Sequence, residues 1–204
     1  TIDAIGTQKT IAAQIVAQGA DYLLAVKDNQ PHLRDDLDML FAWAERIEYD
    51  NIQHAHCQTT NKGHGRIEVR DCWTISDPEC LKMIAQADAW TNLRTVVRIR
   101  AQRTSGANTT VQVRDCISSL PEQGVQTARQ TLKAARWHWG IENRLHWVLD
   151  IAFREDECRV RKDHGDENLA VLRHIALNLL RQDTTTKLGV HGKRLKAGWD
   201  TQYL

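Results

Sequence analysis

The fold is decided by the stretch "DYLLAVKDNQPHLRDDLDMLFAWAERI", residues 21–47. The apolar run "DYLLAVK" is typical of a short buried strand. Pro31 follows within "DNQPH" and suits the first turn of a helix, where an N–H has no intrahelical partner. The segment "HLRDDLDMLFAWAERI" then predicts a helix. A buried strand that leads directly into a helix indicates an α/β chain.

Upstream of this stretch, "TIDAIG" is typical of the end of a buried strand with Asp3 at its C-terminal tip. The following "GTQKTIAAQIVAQG" has Ile11, Ile15 and Val16 at helical spacing. Strand, helix, strand, helix predicts a parallel sheet with crossover helices. Because the chain opens inside a strand and without Met, we expect it to be the C-terminal portion of a longer protein.

Downstream, the pattern changes to short alternating segments: "GRIEVRDCWTI", "LRTVVRIRAQR" and "TTVQVRDCISSL", with "SGANTT" as a hairpin turn. Long helical patterns then return, and "DENLAVLRHIALNLLRQ" places Leu169, Leu172, Ile175, Ala176 and Leu179 on one side. We therefore predict four parts: a partial α/β core (1–49), a β-rich insertion (50–120), a helical return to the core (121–183) and a polar, basic tail (184–204).

Composition sets broad limits. Of 204 residues, 42% are hydrophobic and 26% charged, which is ordinary for a soluble globular protein. The sequence lacks a run of about 18 apolar residues, so no membrane span is expected. Five scattered Cys without a Cys-x-x-Cys pair predict neither a disulfide framework nor a zinc ribbon, and favour a reducing cytoplasmic compartment.

Charge is uneven along the chain. The net charge is only +1, yet from Arg129 onward there are 14 Lys and Arg against 10 Asp and Glu. Two clusters stand out, "RVRK" (159–162) and "HGKRLK" (191–196). Such clusters are either solvated surface or, beside a catalytic site, contacts for phosphates.

The stretch "WHWGIENRLHW" (137–147) carries the most unusual combination of side chains. At four-residue spacing, His138, Glu142 and His146 form one polar stripe on a helix. An apolar stripe of Ile141, Leu145, Val148 and Ala152 runs beside it. The surrounding Trp residues are either part of the core or a platform for an unstacked base.

Asp3 and Glu142 are the candidate catalytic acids. Alone, Asp3 could cap a helix and Glu142 could be a surface acid paired with a neighbouring His. Together, a strand-tip Asp and a helix Glu are the type of carboxylates that hold a pair of divalent metal ions on a phosphodiester. If the first two strands are parallel, Lys27 and Asn29 end the second strand at the same edge as Asp3.

Two zinc interpretations stay open. His138, Glu142 and His146 have a spacing that zinc could accept, although it is not the His-Glu-x-x-His signature. "HAHC" (54–57) with His64 contains further metal-binding side chains, which we assign to a surface loop.

The sequence resembles the H-repeat-associated insertion-sequence transposases along its whole length. The resemblance is carried by "DYLLAVKDNQPHL", "GHGRIEVRDCW", "ISSL", "KRLKAGWDTQYL" and, most specifically, "HWGIENRLHWVLDIAFREDECRVRKDHGDENLAVLRHIALNLLR". It implies a DDE transposase with a ribonuclease-H-like mixed sheet, truncated at its N-terminal side. It also implies cytoplasmic, nucleoid-associated DNA transposition by a homodimer.

In this family three acids bind two Mg²⁺ ions, with Mn²⁺ as a substitute. By position, Asp3 matches the second acid and Glu142 the third. The candidate DNA or supporting contacts are Lys27, Asn29, His138, His146, Arg159, Arg161 and Lys162. An acid contributed by "REDECRVR" (154–161) is an alternative to a salt-bridged surface there.

The sequence departs from the family in two ways. Related transposases carry a Tyr-x2-Arg-x3-Glu-x6-Lys signature. The corresponding positions here are Ala135, His138, Glu142 and Leu149, so only the Glu is kept. The first Asp has no counterpart, so we expect this chain alone to be inactive. The second functional hypothesis is a transposase remnant that binds DNA without cutting it, and the third is a zinc hydrolase.

Overall fold

One five-stranded sheet organises the computed structural model, which describes residues 1–2, 4–63 and 65–203, with the backbone alone at residues 139 and 142. The strand order is β1-β5-β4-β3-β2, and each neighbouring pair is antiparallel. The strands are β1 (Leu23–Val26), β2 (His54–Gly63), β3 (Arg66–Ile75), β4 (Thr95–Ser105) and β5 (Asn108–Ser118). The helices are α1 (Lys9–Ala17), α2 (Pro31–Arg46), α3 (Pro78–Lys82), α4 (Val125–Ile141), α5 (Trp147–Phe153), α6 (Gly165–Gln182) and α7 (Val190–Trp199).

The local signals in the sequence explain most of these elements. Pro31 is the first residue of α2, as predicted. β4 and β5 form a hairpin closed by Gly106 and Ala107, and Gly106 adopts the positive φ of 58° that this tight turn needs. The predicted turn in "SGANTT" is therefore confirmed.

Helices cover both faces of the inner half of the sheet. On one face, called here the α2 face, Leu37 and Phe41 of α2 are fully buried against Leu24, Val96 and Ile117. On the opposite face, the α4 face, Ala128 and Leu132 of α4 pack against buried residues of all five strands: Leu23, Ala55, Cys57, Cys72, Val97, Ile99 and Cys116. Burying fully enclosed aliphatic side chains of this kind is worth roughly 1.5–3 kcal/mol each.

The predicted parallel sheet is wrong for the named strands. β1 pairs with β5 in antiparallel register, so the β-rich stretch extends the same sheet. Parallel pairing occurs at an isolated bridge between Ile2 and Leu24. An apolar strand such as "LLAV" is buried on both faces with either kind of neighbour, and its pattern therefore cannot reveal strand direction. The mixed α/β class itself is confirmed.

A buried ion pair ties β4 to β5 on the α2 face. Arg98 donates from Nε to Asp115 Oδ1 at 2.8 Å and from Nη2 to Asp115 Oδ2 at 2.6 Å. Its Nη2 also reaches Asp38 Oδ1 of α2 at 2.5 Å, and its guanidinium lies 4.6 Å from the ring centre of Phe41. The two-point contact fixes Arg98 against Asp115, and the contact with Asp38 links α2 to this pair.

The chain divides into two compact units, residues 1–138 and residues 139–204. The sheet belongs to the first unit. In the second, α5, α6 and α7 contact one another. No helix in the described part of the chain is long and apolar enough to cross a bilayer.

The second unit shows where the predicted apolar stripe and the basic tail lie. Leu172, Ile175 and Leu179 of α6 are exposed, and the buried residue of this helix is Leu177. Hydrophobic spacing identifies an apolar stripe but not what covers it. The basic tail forms α7, and Tyr203 near its end bonds to Asp183, the residue just after α6.

Lys193 of α7 connects the end of α6 to the tail. It is buried and its Nζ donates to the carbonyl oxygens of Leu180 at 3.0 Å and Asp183 at 2.5 Å. Asp183 accepts from the Tyr203 hydroxyl at 2.6 Å and from both the amide and the hydroxyl of Thr185. The two bonds from Lys193 satisfy backbone carbonyls that the C-terminus of α6 leaves without an intrahelical partner.

Candidate active site

The two neighbours of Asp3 contact β1 and the residues just after it. Asp3 itself lies outside the described residues, but its neighbours Ile2 and Ala4 are described. Ile2 donates to Leu23 and accepts from Ala25 through backbone bonds of 3.3 Å, which confirms the predicted parallel arrangement at this point. The residues on both sides of the candidate acid are thus held beside a strand end, where open α/β sheets bind ligands.

Hydrogen bonds hold the turn that follows. The hydroxyl of the fully buried Thr7 donates to the Ala25 carbonyl at 2.6 Å. Gln30 Nε2 donates to the Thr7 carbonyl at 2.9 Å, and the Asn29 amide donates to the Ala4 carbonyl. Sequence reasoning proposed Asn29 as a DNA contact and overlooked Thr7. The structure shows the Asn29 side chain bonded to the turn, while its DNA role stays a prediction.

Gly6 allows this turn to approach the side chain of Ile2. A Cβ added at Gly6 would lie 2.3 Å from Cγ2 of Ile2, far inside van der Waals contact. Even Ala at this position would therefore displace the Ile2 side chain. Lys27, the other residue predicted at this edge, is exposed just after β1.

The helix predicted to carry Glu142 is interrupted by a π turn. α4 ends at Ile141, residues Glu142–His146 form π-helical backbone, and α5 begins at Trp147. The side chain of Glu142 lies outside the described residues. π turns inside α-helices often occur at functional sites.

The π turn changes which side chains are buried. The predicted apolar stripe began with Ile141, which is 52% exposed, whereas Leu149 and Ala152 are buried. A π turn bonds residues five apart, so the four-residue spacing assumed for a regular helix does not extend through it. The same change weakens the zinc interpretation, which depended on regular spacing from His138 to His146.

Two tryptophans flank this turn in exposed positions. Trp137 is 67% exposed and Trp147 is 60% exposed, so the alternative that they belong to the core is wrong. Lys133 Nζ lies 4.6 Å from the ring centre of Trp137. His138 is half-buried and His146 exposed, and both keep their predicted roles as hypotheses. Exposed indole rings beside cations are suited to stacking with nucleobases.

The two basic clusters differ in environment. In "RVRK", Arg159, Arg161 and Lys162 are all exposed. In "HGKRLK", Lys193 is buried, Arg194 lies 5.8 Å from the Phe153 ring centre and Lys196 lies 4.5 Å from that of Tyr203. The first cluster is therefore available to a ligand, whereas the second is engaged within the fold.

Two of the three acids of "REDECRVR" form ion pairs. Glu155 Oε1 lies 3.4 Å from Arg173 Nη1, and Glu157 pairs with Arg154. A hydrogen bond from Arg173 lowers the pKa of the half-buried Cys158. These ion pairs agree with the salt-bridged surface that the sequence suggested here, and a site role for an acid of this stretch stays a prediction.

The histidine-rich stretch "HAHC" is a strand and not the predicted loop. In β2, His54 and His56 are exposed while Ala55 and Cys57 are buried, because alternate side chains point to opposite faces. His56 Nε2 lies 3.0 Å from Asp71 Oδ1, and its ring stacks on Trp73. His64 lies outside the described residues. Within the described part, no three His, Cys, Asp or Glu side chains form a metal-binding group.

Comparison with known proteins identifies the family of this chain. A profile of the family described as "Transposase DDE domain" matches residues 2–179, a range that includes both candidate acids. The chain belongs to this family. It is also similar along its whole length to two proteins of Escherichia coli strain K12. It is 34% identical to "Putative protein YbfL" and 33% identical to "H repeat-associated putative transposase YhhI", covering 53% of each.

A third similar protein is also named as a transposase. The chain is 34% identical to "Putative transposase YncI" of Escherichia coli O157:H7, of which it covers 51%. The resemblance to the H-repeat-associated transposases is confirmed. The chain spans about half the length of these curated relatives.

Proposed function

We propose that this chain is the part of a DDE transposase that supplies the second and third metal-binding acids for cutting insertion-sequence ends and joining them to target DNA. The family match across residues 2–179 carries the proposal, because it spans both Asp3 and Glu142. Two metal ions would activate water or a DNA 3′-OH and stabilise the leaving oxygen of an in-line displacement.

The metal proposed is Mg²⁺, with Mn²⁺ as a substitute. Carboxylates are the ligands that both ions prefer. Two sets of bonds support this proposal. The bonds of Thr7, Asn29 and Gln30 hold Ala4 and the turn after it, and backbone bonds to Leu23 and Ala25 hold Ile2. Fixed ligands lose less freedom when a metal binds, and these bonds would preserve their geometry.

DNA is the proposed substrate, and a homodimer would bring two DNA ends together. Arg159, Arg161 and Lys162 would contact phosphates, and Trp137 and Trp147 would stack with an unpaired base. Lys27, His138 and His146 remain candidates for contacts beside the metal ions. The exposure of both tryptophans favours a nucleic-acid role over one in packing.

Cleavage of a plasmid that carries the insertion-sequence ends tests this function. The chain is joined to the upstream half of a full-length relative, and Mg²⁺-dependent nicking is followed on gels. Asp3→Asn and Glu142→Gln should each abolish nicking, whereas Glu45→Gln, an exposed acid on α2, should not. The 204-residue chain alone should bind Mn²⁺ weakly by electron paramagnetic resonance, and Asp3→Asn should weaken binding further.

The alternatives give different results. A remnant that only binds DNA would shift the plasmid without nicking it, even after the upstream half is restored. A zinc hydrolase would hold stoichiometric Zn²⁺ that is lost in His138→Ala and His146→Ala but kept in Asp3→Ala. Nicking that survives either acid substitution would refute the assignment of Asp3 and Glu142.

A further inference from the structure

The outer half of the sheet extends beyond the helices that cover its inner half. This β-arm consists of residues 58–63 and 65–71 of the β2–β3 hairpin and residues 100–114 of the β4–β5 hairpin. The first six residues of β5 are all exposed, and so are the last four of β2. A sheet exposed on both faces offers two surfaces of different chemistry, because alternate side chains point to opposite sides.

The β-arm is basic although the chain as a whole is nearly neutral. It carries six cations and two acids, whereas the net charge of the whole chain is +1. The cations are Lys62, Arg66, Arg70, Arg100, Arg103 and Arg114. The acids are Glu68 and Asp71, and Asp71 already accepts from His56 and Gln58.

Strand register assigns four of the six cations to the α4 face. Cys72 and Ile99 are opposite each other on that face, and counting by twos along β3 and β4 places Arg70, Arg66 and Arg103 beside them. The register of β5 adds Arg114 opposite Ile99. Asn61, Thr110 and Gln112 are exposed and supply amide and hydroxyl groups on the same face. The α2 face of the arm is different, because it carries Ile67, Val69, Val111 and Val113.

Three of these arginines surround Glu68. Arg66 and Arg70 lie two residues before and after it on β3, and Arg103 is directly opposite it on β4. Two residues of strand span about 6.7 Å. Arg70 pairs with Glu68, and its Nη1 is buried without a hydrogen-bond partner. Glu68 therefore compensates one arginine, and the exposed Arg66 and Arg103 remain available to an external anion.

We infer that the α4 face of the β-arm binds the sugar-phosphate backbone of duplex DNA. The face combines arginines with hydroxyls and amides, which are the side chains that contact phosphates. Its strands span roughly 20 Å over six residues, and sheet elements of this size fit against a DNA groove. The choice of DNA as the occupant rests on the proposed transposase function.

The arm supplies its own matched control. Arg66→Gln with Arg103→Gln removes two charges from the α4 face, and Lys62→Gln with Arg100→Gln removes two from the α2 face. Binding of the 204-residue chain to a 30-base-pair duplex is measured by fluorescence anisotropy in EDTA at several salt concentrations. The α4-face variant should bind at least about tenfold more weakly at 0.1 M salt, and its slope of log K against log salt should be about 1.8 smaller. The α2-face variant should bind nearly as the unchanged chain does.

Other outcomes overturn the inference. Equal losses in the two variants would mean general charge attraction without a binding face, and no loss in either would remove the arm from DNA binding. Equal binding of an RNA duplex with the same face dependence would overturn DNA as the occupant. Since EDTA excludes metal chemistry, face-dependent binding without Mg²⁺-dependent nicking refutes the proposed function alone. Nicking without face dependence refutes this inference alone. Unchanged thermal unfolding of both variants excludes misfolding as the cause.

Discussion

Replacing Thr7 tests whether the turn after Asp3 is held by a hydrogen bond or by packing. Thr7 is fully buried, and its hydroxyl donates to the Ala25 carbonyl at 2.6 Å. Thr7→Val keeps the volume and removes the donor, which should lower the free energy of unfolding by about 1–3 kcal/mol. Thr7→Ser keeps the donor and removes one methyl group, at a cost of about 0.8 kcal/mol.

The measurement combines global and local stability. Urea unfolding followed by circular dichroism gives the free-energy differences, and hydrogen exchange of residues 1–30 shows where the fold loosens. Thr7→Val should accelerate exchange at the Ile2 and Ala25 amides more than Thr7→Ser does, because those amides belong to the strand bridge. If Thr7→Val is as stable as the unchanged chain and exchanges equally slowly, the hydrogen bond does not hold the turn.

Three further predictions concern other parts of the chain. Asp115→Ala should cost about 3–5 kcal/mol, because it removes the two-point partner of the buried Arg98 and leaves only the contact with the exposed Asp38. Arg98→Met with Asp115→Leu should cost much less. Hydrogen bonds from Thr185 and Tyr203 lower the pKa of Asp183. The stabilising contribution of Asp183 should therefore be present above the unfolded pKa of about 3.9 and be lost as pH falls below that value. Urea denaturation at several pH values should show this loss in the unchanged chain and lack it in Asp183→Asn. Trp137→Ala and Trp147→Ala should each weaken binding to single-stranded DNA by about 1–3 kcal/mol in fluorescence titrations.

Each has a control or a contradicting result. Comparable losses in the single and double ion-pair variants would show that packing, and not the unpaired charge, sets the cost. An identical pH dependence of the unchanged chain and Asp183→Asn would refute the role of Asp183. Trp199, which is 73% exposed in α7, is the control for stacking, and an equal loss from Trp199→Ala would mean that any exposed indole contributes.

Much of the fold could be predicted from local signals. Pro31 marked the start of α2 and "SGANTT" marked the β4–β5 turn, because both depend on the backbone preferences of single residues. The antiparallel pairing of β1 with β5 could not be read, since Leu23 to Val26 would be equally apolar in either direction. Partner choice is decided by contacts between residues that lie far apart in sequence.

The candidate site, too, could be predicted from the sequence only in part. The resemblance identified the family and named Asp3 and Glu142, whose side-chain geometry stays a prediction. Helical periodicity predicted Ile141 on the core-facing stripe, yet this residue is exposed. The π turn that follows it has no recognisable signal in "ENRLH". Thr7 was missed since a buried hydroxyl has no distinctive sequence pattern. Its role depends on the carbonyl that the fold brings to it.

The contact between Cys158 and Arg173 gives this chain a natural attachment point for a reporter. The other four thiols are buried, whereas Cys158 is half-buried and has a lowered pKa. A thiolate is the reactive form of cysteine, so a maleimide dye should modify Cys158 first. The dye would then lie next to Arg159 and Arg161, where its emission could report the arrival of DNA without any change to the sequence.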